Sequence, residues 1–575
     1  MHKSQELAKI ALGKKGFKTF KTKSKPKINS KSENRKKIKN KIKSKTTIAM
    51  QKTYNIKDIP TNIKVAIETT IHPEYPQFYI NDKNIFLKYP HIERDDGGDN
   101  FKICLTEDNK KRLFPSVEAL IENQVAALEK YIDDINSDKF PPDEIYKEFD
   151  SYWKSINGVI LYENEMFEQS TKYKEISLLV QKREFSKQYF VKNNNGKISE
   201  YLNSHPLDST ETKGVFLNFD NYFPEKIPYD HKELAEVIVG NNLEEEVRNY
   251  RTQIKGEFVV IFSFMLPTGE RHFAALTIYG TAINKTLYSI LFGSNMQSKE
   301  IKGIDASSIS RERIYSRGGD EVSKKTSLLH KKIAIVGCGS VGAPLAQKLF
   351  KSGVTSISLI DKSRLKIDNI GRHYLGLESV GVNKATALAD KLKQQYHDNN
   401  IIGYQGQAEE YLNILKSMDL IILALGSDGT EVQEKIIIDV INKINPPVIT
   451  CWLEAKAVAG HALLFDKRVA DSYRDGNEFN LLDIYDAISV VDKEYAKSLV
   501  KEDVGCNATY MPYSYINSDI HVNHFAIMII KHLQGTNTKT TMSSYGDLKD
   551  IPEEYLRIEK ENSFSIKKDA VIKEV

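Results

Sequence analysis

The chain has 575 residues, a formal net charge of +5, 40% hydrophobic and 28% charged residues, so we expect several domains rather than one. No apolar stretch approaches the ~20 residues that a membrane span requires, and no apolar signal-peptide core follows Met1. The four cysteines, at 104, 338, 451 and 506, are too scattered to indicate a disulfide framework or a CxxC zinc pair. We therefore expect a cytoplasmic protein with reduced thiols.

The first 50 residues concentrate positive charge. They hold 17 Lys and Arg residues against two Asp and Glu residues, so the rest of the chain is mildly acidic. The stretch from Lys14 to Lys45 is nearly free of aromatic residues, a composition typical of disordered chain. We predict a disordered tail over 1–50, which is either dispensable and upstream of a start at Met50 or attracted to nucleic acid or another acidic surface.

Residues 51–160 combine short extended runs with one long helix. The runs include Phe78–Ile80 and Phe101–Leu105, and an apolar helical face follows Pro115. Pro90-His91, a glycine-rich turn and Ile103-Cys104-Leu105 occur in this order. The stretch resembles a ubiquitin-conjugating domain of the bacterial type, with an α+β fold.

That resemblance implies that Cys104 accepts an acyl group by transthiolation. The reaction needs an accessible thiolate and a donor near the oxyanion that forms when the thioester is attacked. His91 is a candidate for this donor, although the eukaryotic relatives use an asparagine. A lone cysteine between Ile and Leu is also typical of buried packing, which is the alternative.

Residues 161–310 show no catalytic pattern. Two extended runs, 258–266 and 272–279, flank a Pro-Thr-Gly turn and predict a β-hairpin. A helix is predicted from Glu233 to Tyr250. We interpret this stretch as an α/β linker domain.

Residues 311–540 begin with a nucleotide-binding pattern. An apolar run ending at Val336 leads into Gly337-Cys-Gly-Ser-Val-Gly342 and a helical pattern, and a second apolar run ends at Asp361. This is the strand, glycine turn, helix and strand of a βαβ unit. Its glycines allow backbone N–H groups to approach a phosphate, and Asp361 is placed to bind ribose hydroxyls. A plain tight turn is the alternative.

The residues that follow favour a nucleoside triphosphate over a dinucleotide. Arg372 and Lys384 are two cations close to the first nucleotide site, where they can neutralise the β and γ phosphates and the departing pyrophosphate. Asn369 precedes them and suits either ligand contact or a turn. Asp428 follows a later apolar strand, where its carboxylate could hold Mg²⁺.

In this order, these elements resemble the adenylation domain of the ubiquitin-activating and ThiF/MoeB superfamily, which is Rossmann-like. The departures are Asp368 for a serine and His373 for a glutamine. The resemblance implies ATP and Mg²⁺ as cofactors and a homodimeric core. The residues implied to bind ATP are Gly337, Gly339, Gly342, Asp361, Asn369, Arg372, Lys384 and Asp428, with Asp428 also on the metal and Arg372 counted as catalytic. Arg317 resembles an arginine that reaches a partner's ATP, or is a solvated linker residue.

The remaining cysteines differ in context. Cys338 lies inside the glycine loop and Cys451 on a buried strand, so packing roles are predicted for both. Cys506 lies in a glycine-flanked loop before an apolar helix, and activating enzymes place their thioester cysteine on a crossover segment in this region. We predict that Cys506 is catalytic, with a structural cysteine as the alternative. Residues 541–575 are predicted to be a charged tail.

The domain order resembles fusion proteins of bacterial antiphage CBASS operons. It implies activation of a protein C-terminus by ATP, capture by Cys506, transfer to Cys104 and conjugation to a lysine-bearing target. In that family the acyl donor is a cGAS-like nucleotidyltransferase. The alternatives are a sulfur-carrier adenylyltransferase, a binding scaffold with a vestigial nucleotide site and a nicotinamide dehydrogenase.

Overall fold

The structure is a computed structural model that divides into two compact units, Met1–Ile309 and Ser310–Val575. It describes residues 2–19, 47–68, 76–82, 85, 89–94, 101–105, 114–141, 144, 149–184, 186–193, 196, 198, 202, 209–219, 228, 230–254, 256–266, 269–280, 286–293, 302–315, 328–395, 400–425, 446–465, 485–486, 488–502, 509–537 and 541–557. Among these residues, no helix combines the length and apolar character needed to cross a membrane.

The first unit begins with an antiparallel sheet in the order β1-β2-β3-β4-β6-β5. The strands are β1 (Lys18–Thr19), β2 (Thr47–Ile56), β3 (Ile59–Glu68), β4 (Gln77–Ile80), β5 (Ile92–Arg94) and β6 (Phe101–Ile103), and the helices are α1 (His2–Lys14), α2 (Val117–Asn136) and α3 (Phe149–Trp153). Ser116 caps α2, since its hydroxyl oxygen accepts from the Ala119 N–H at 3.1 Å. The helix buries the apolar face that the sequence predicts, including Val125 and Leu128.

The extreme N-terminus differs from the predicted disordered tail over 1–50. Helix α1 buries Ala8, Ala11 and Leu12 at helical spacing, and β1 pairs with β2. The buried ring of Phe17 lies 6.4 Å from the ring of Tyr54, between centroids. Because the whole stretch is rich in lysine, its composition did not indicate the short apolar face of α1. Residues 20–46, which carry most of the predicted tail, lie outside the described residues.

A closed seven-stranded barrel follows in the same unit, in the order β10-β11-β12-β13-β7-β9-β8. Its strands are β7 (Lys154–Tyr162), β8 (Tyr173–Lys182), β9 (Lys187–Val191), β10 (Ser209–Asn218), β11 (Gly256–Met265), β12 (Arg271–Gly280) and β13 (Lys302–Ser308), with helices α4 (His231–Gly240), α5 (Glu244–Asn249) and α6 (Leu287–Phe292). The predicted hairpin is confirmed as β11–β12. The predicted helix from Glu233 to Tyr250 is two helices, because Asn242 has a left-handed φ of 56° between them.

The second unit is built on a seven-stranded sheet in the order β16-β15-β14-β17-β18-β19-β22. Its strands are β14 (Lys332–Val336), β15 (Ser356–Asp361), β16 (Asn400–Gln405), β17 (Leu420–Leu423), β18 (Val448–Leu453), β19 (Ala459–Phe465) and β22 (Thr541–Tyr545), with a separate pair, β20 (Lys501–Glu502) and β21 (Thr509–Tyr510). Its helices are α7 (Arg311–Tyr315), α8 (Gly342–Lys351), α9 (Lys384–Lys393), α10 (Leu412–Leu415), α11 (Lys493–Ser498) and α12 (Tyr515–Leu533). The first five strands in this order are parallel and the last two are antiparallel. The predicted α/β class with a Rossmann-like C-terminal domain is confirmed.

The C-terminal stretch also differs from the predicted charged tail over 541–575. Strand β22 is the edge strand of the large sheet, and Ile551 beyond it is completely buried. Four residues of β22 are buried, three of them Thr or Ser. A polar strand of this kind lacks the apolar alternation by which strands are recognised in a sequence. Residues 558–575 lie outside the described residues.

Candidate functional site

The glycine loop between β14 and α8 leaves an open space at its centre. Gly337 has a φ of +89°, and a Cβ there would collide with the Ala424 carbonyl oxygen. A Cβ on Gly342 would collide with the Gly337 carbonyl oxygen. At Gly339, in contrast, no heavy atom of the described residues lies within 4 Å of the Cβ position. Gly337 and Gly342 therefore let the loop fold. Gly339 leaves room for a ligand at the N-terminus of a ten-residue helix.

Asp361 ends β15 beside this loop, at the carboxyl edge of the parallel strands. Its Oδ2 accepts a hydrogen bond from the Cys338 N–H at 2.7 Å, and its Oδ1 accepts one from the Ser363 N–H at 2.7 Å. A carboxylate has about four acceptor positions, so these two bonds fix its orientation and leave others available. Ribose binding by Asp361 stays a prediction.

Asn383 is a buried residue that the sequence reasoning did not single out. Its side-chain nitrogen donates to the carbonyl oxygens of Asp361 at 2.8 Å and Ser363 at 3.1 Å. Its Oδ1 accepts from the first N–H groups of α9, which begins at Lys384. An asparagine immediately before a helical pattern is the signal that identifies such a cap. Asn383 therefore fixes Lys384 relative to Asp361.

Arg372 contacts a segment that is distant in sequence. Its Nη1 donates to the Met511 carbonyl oxygen at 2.9 Å, and its guanidinium carbon lies 4.8 Å from the centroid of the Tyr513 ring. The Tyr513 hydroxyl in turn lies 2.6 Å from the Ser340 hydroxyl of the glycine loop. Asn369 accepts from the Lys366 N–H at 3.1 Å, so it makes the turn contact that was one of its two predicted roles.

The buried side chain of His373 contacts the glycine loop through a hydrogen bond. The Leu375 N–H donates to Nδ1 at 3.1 Å, so the ring proton is on Nε2, which donates to the Cys338 carbonyl oxygen at 2.6 Å. Burial lowers the pKa of His373, which favours this neutral form. The residue that departs from the resembled family thus acts as a fixed N–H donor, as a glutamine amide can.

The segment between β15 and α9 carries a concentration of positive charge. Its cationic residues are Lys362, Arg364, Lys366 and Arg372, and Lys384 begins the helix. Burial raises the pKa of the Cys338 thiol, and the positive charge of Lys384 opposes this shift. The negative charge of Asp361 adds to the rise, so both charges act at the glycine loop, and the cations of this segment suit a polyphosphate ligand.

The other predicted residues of this unit divide into two groups. Cys338 and Cys451 are buried, and burial raises the pKa of both thiols, which agrees with their predicted packing roles. Cys506, Asp428 and Arg317 lie outside the described residues. In the part of the chain that the structure describes, no cluster of three His, Cys, Asp or Glu residues could hold a metal ion.

A second candidate site lies in the first unit, where Cys104 follows β6. The Cys104 N–H donates to the His91 carbonyl oxygen at 2.7 Å, which continues the pairing of Ile92 with Ile103. The two paired isoleucines are buried, whereas Cys104 and His91 are partly exposed. Cys104 is thus accessible at the end of its strand, and the structure brings it together with His91.

Charged residues lie near Cys104 and His91 on strands β6 and β5. Lys102, two residues before Cys104, forms an ion pair with Glu93 at 3.4 Å. Burial tends to lower the pKa of Lys102, but the charges of Glu93 and Cys104 raise it overall. A lysine beside a thiol stabilises the thiolate.

The side chain of His91 is fixed from two directions. Its Nε2 lies 3.7 Å from Glu144 Oε1, and its ring packs against the rings of Tyr131 and Phe140 at centroid distances of 6.5 and 5.8 Å. The Tyr131 hydroxyl donates to the Pro90 carbonyl oxygen at 2.6 Å, which secures the turn that carries His91. These contacts fix the imidazole of His91, and the backbone hydrogen bond links His91 to the partly exposed Cys104.

The parallel sheet, the open glycine loop and the cations beside it define a nucleotide-binding domain of the ThiF type. Residues 311–478 match the ThiF family, and residues 29–161 match prokaryotic E2 family B. The chain therefore joins a prokaryotic E2 domain to a ThiF domain, as the sequence predicted.

Several curated proteins called ATP-dependent ubiquitin transferase-like protein Cap2 are similar to this chain. The one from Vibrio cholerae is 24% identical over 303 residues, which cover 50% of each chain. The one from Enterobacter hormaechei is 36% identical over 103 residues, or 17% of each chain. The chain thus spans at most about half the length of these relatives. A crystal structure of E. coli MccB with AMPCPP and MccA is 17% identical, with a TM-score of 0.30, and the match covers 41% of this chain and 70% of that one.

Proposed function

We propose that this protein is an ATP-dependent enzyme that activates the C-terminus of a protein and conjugates it to an amine. The observation that carries the proposal is the presence of two complementary sites on one chain. One is a glycine loop with open space at Gly339 and cations beside it. The other is the partly exposed Cys104 beside Lys102 and His91.

In the first step, a carboxylate oxygen of the donor protein attacks the α-phosphorus of ATP, and pyrophosphate leaves. The glycine loop binds the phosphates through its N–H groups, and Asp361 orients the ribose. Arg372 and Lys384 offset the charge that develops on pyrophosphate. Asp428 would hold the Mg²⁺ ion that accompanies ATP.

Three acyl transfers follow, each with one leaving group. The Cys506 thiolate displaces AMP, the Cys104 thiolate displaces Cys506, and a lysine amine of the target displaces Cys104. Lys102 favours the Cys104 thiolate, and the imidazole of His91 donates to the oxyanion of the last transfer. The products are an isopeptide bond and regenerated thiols.

The Cap2 relatives, named ATP-dependent ubiquitin transferase-like proteins, support the conjugation chemistry, and the resemblance to CBASS fusions supports a cGAS-like nucleotidyltransferase as the acyl donor. We place the reaction in antiphage defence in the cytoplasm, and we propose a homodimeric adenylation core. Attachment of the donor C-terminus to a lysine-bearing target would prime the nucleotidyltransferase.

The test is intact-mass analysis of the full chain after incubation with ATP, Mg²⁺ and candidate donor proteins, with and without thiol reductant. Wild type, Cys104→Ala and Cys506→Ala are compared, and Cys451→Ala serves as the control for loss of a buried cysteine. We expect reductant-sensitive adducts on Cys506 that pass to Cys104. Adenylation with no thioester on either cysteine would contradict the relay and favour the sulfur-carrier adenylyltransferase.

A further inference from the structure

Tyr513 connects two parts of the adenylation site that are far apart in sequence. Its hydroxyl lies 2.6 Å from the Ser340 hydroxyl in the glycine loop, and its ring lies under the guanidinium of Arg372. Two residues earlier, the Met511 carbonyl oxygen accepts from Arg372 Nη1 at 2.9 Å. One short segment between β21 and α12 therefore contacts both the loop and the arginine proposed to bind phosphate.

The chemistry of arginine explains what these contacts can do. A guanidinium is planar, and its five N–H donors lie in that plane. The cation–π contact with the Tyr513 ring uses none of the N–H donors, so it does not compete with a ligand for them. The bond to Met511 uses one donor and sets the rotation of the plane. Arg372 is thus held in one orientation with donors remaining.

The hydroxyl contact adds a restraint on the loop itself. Ser340 is the residue after Gly339, where the structure leaves open space. The hydrogen bond between the Tyr513 and Ser340 hydroxyls fixes this part of the loop before a ligand arrives. Such preorganisation reduces the ordering that binding would otherwise require.

We propose that Tyr513 is a positioning residue that selects for a nucleoside triphosphate by orienting Arg372 toward the β and γ phosphates. This inference rests on the proposed function, because it assigns Arg372 to the phosphates of ATP. It also joins the ATP site to the chain that follows Cys506, since Met511 is five residues beyond that cysteine.

The test compares the affinities of the full-length protein for Mg²⁺-ATP and for AMP by isothermal titration calorimetry. The variants are Tyr513→Leu, which removes the ring, and Tyr513→Phe, which keeps the ring and removes the hydroxyl. Tyr510→Leu is the matched control, because Tyr510 is an exposed tyrosine at the end of β21, immediately before this segment. Arg372→Ala, alone and with Tyr513→Leu, reports whether Tyr513 acts through the arginine.

We expect Tyr513→Leu to weaken ATP binding by about three- to tenfold and to leave AMP binding within about twofold. Tyr513→Phe should recover most of the ATP affinity, and Tyr510→Leu should match wild type. In the Arg372→Ala background, Tyr513→Leu should have no further effect beyond that of Tyr513→Phe, which also removes the hydroxyl contact with Ser340.

Equal losses for ATP and AMP, or full additivity with Arg372→Ala, would make Tyr513 a structural residue and overturn the inference. Unchanged ATP binding by Tyr513→Leu would overturn it as well, while the proposed function would stand. A folded wild-type protein that binds no ATP would instead overturn the proposed function.

Discussion

Nε2 of His373 donates a hydrogen bond to the carbonyl oxygen of Cys338, 2.6 Å away, and so ties the segment after β15 to the glycine loop. Both residues are buried, and the Leu375 N–H donates to the other ring nitrogen. The position that departs from the resembled family is therefore a structural support of the nucleotide site.

Two substitutions of His373 distinguish the loss of its hydrogen bonds from the loss of the imidazole itself. His373→Leu leaves the Cys338 carbonyl and the Leu375 N–H without their buried partner, which should lower the free energy of unfolding by about 1–3 kcal/mol and weaken ATP binding. His373→Gln restores an N–H donor and should be nearer to wild type in both respects. Urea unfolding and ATP titration measure these effects. A Gln variant as impaired as the Leu variant would show that the hydrogen bond is not the cause.

Stability should fall in mild acid because of His521. Burial lowers the pKa of this side chain to about 4, and the ring contacts Ser544 and the Ala457 carbonyl oxygen at 2.9 Å each. The unfolded state takes up a proton near pH 6.5 and the folded state does not, so stability is lost as the pH falls from about 6.5 toward 4. The loss by pH 5 should be about 2 kcal/mol.

Urea unfolding at pH 8, 6 and 5 checks this prediction when wild type is compared with His521→Gln. The glutamine can still donate to the Ala457 carbonyl oxygen but cannot be protonated in this range. The stability of the variant should depend less on pH than that of wild type. Parallel pH curves for the two proteins would assign the acid sensitivity to other groups.

Lys102 should increase the reactivity of Cys104. In a Cys506→Ala background, Lys102→Met removes the neighbouring positive charge, so the thiolate fraction of Cys104 should fall. We expect the iodoacetamide alkylation rate at pH 7 to drop by about two- to fivefold. Lys130→Met, an exposed lysine on α2, is the matched control. The idea fails if both substitutions leave the alkylation rate at its starting value.

Helix α1 should contribute to the stability of the first unit. Leu12 is completely buried, and Leu12→Ala should lower the free energy of unfolding by about 2–5 kcal/mol. Lys9→Ala changes an exposed residue of the same helix and should have little effect. Thermal unfolding followed by circular dichroism compares the two variants. Equal melting temperatures would mean that α1 is not part of the cooperative fold.

Local sequence patterns predicted the features whose residues lie close together in the chain. The glycine loop and Asp361 fall within a single βαβ unit, so spacing alone placed them together. The contact between Arg372 and Met511 joins residues 139 positions apart, and no local pattern reports such a pair. Strand β22 escaped recognition because it buries Thr and Ser, and α1 because lysines surround its apolar face. Cys506 and Asp428 remain predictions.

The open space at Gly339 has a consequence for how this molecule can lose activity. The φ of Gly339 lies outside the left-handed range that favours glycine, and a methyl group there would meet no heavy atom of the described residues within 4 Å. Gly339→Ala should therefore leave a normally folded chain in which a methyl group obstructs the loop proposed to bind phosphate. A single mutational step can thus obstruct the proposed nucleotide site while the first unit, which carries Cys104, keeps its fold.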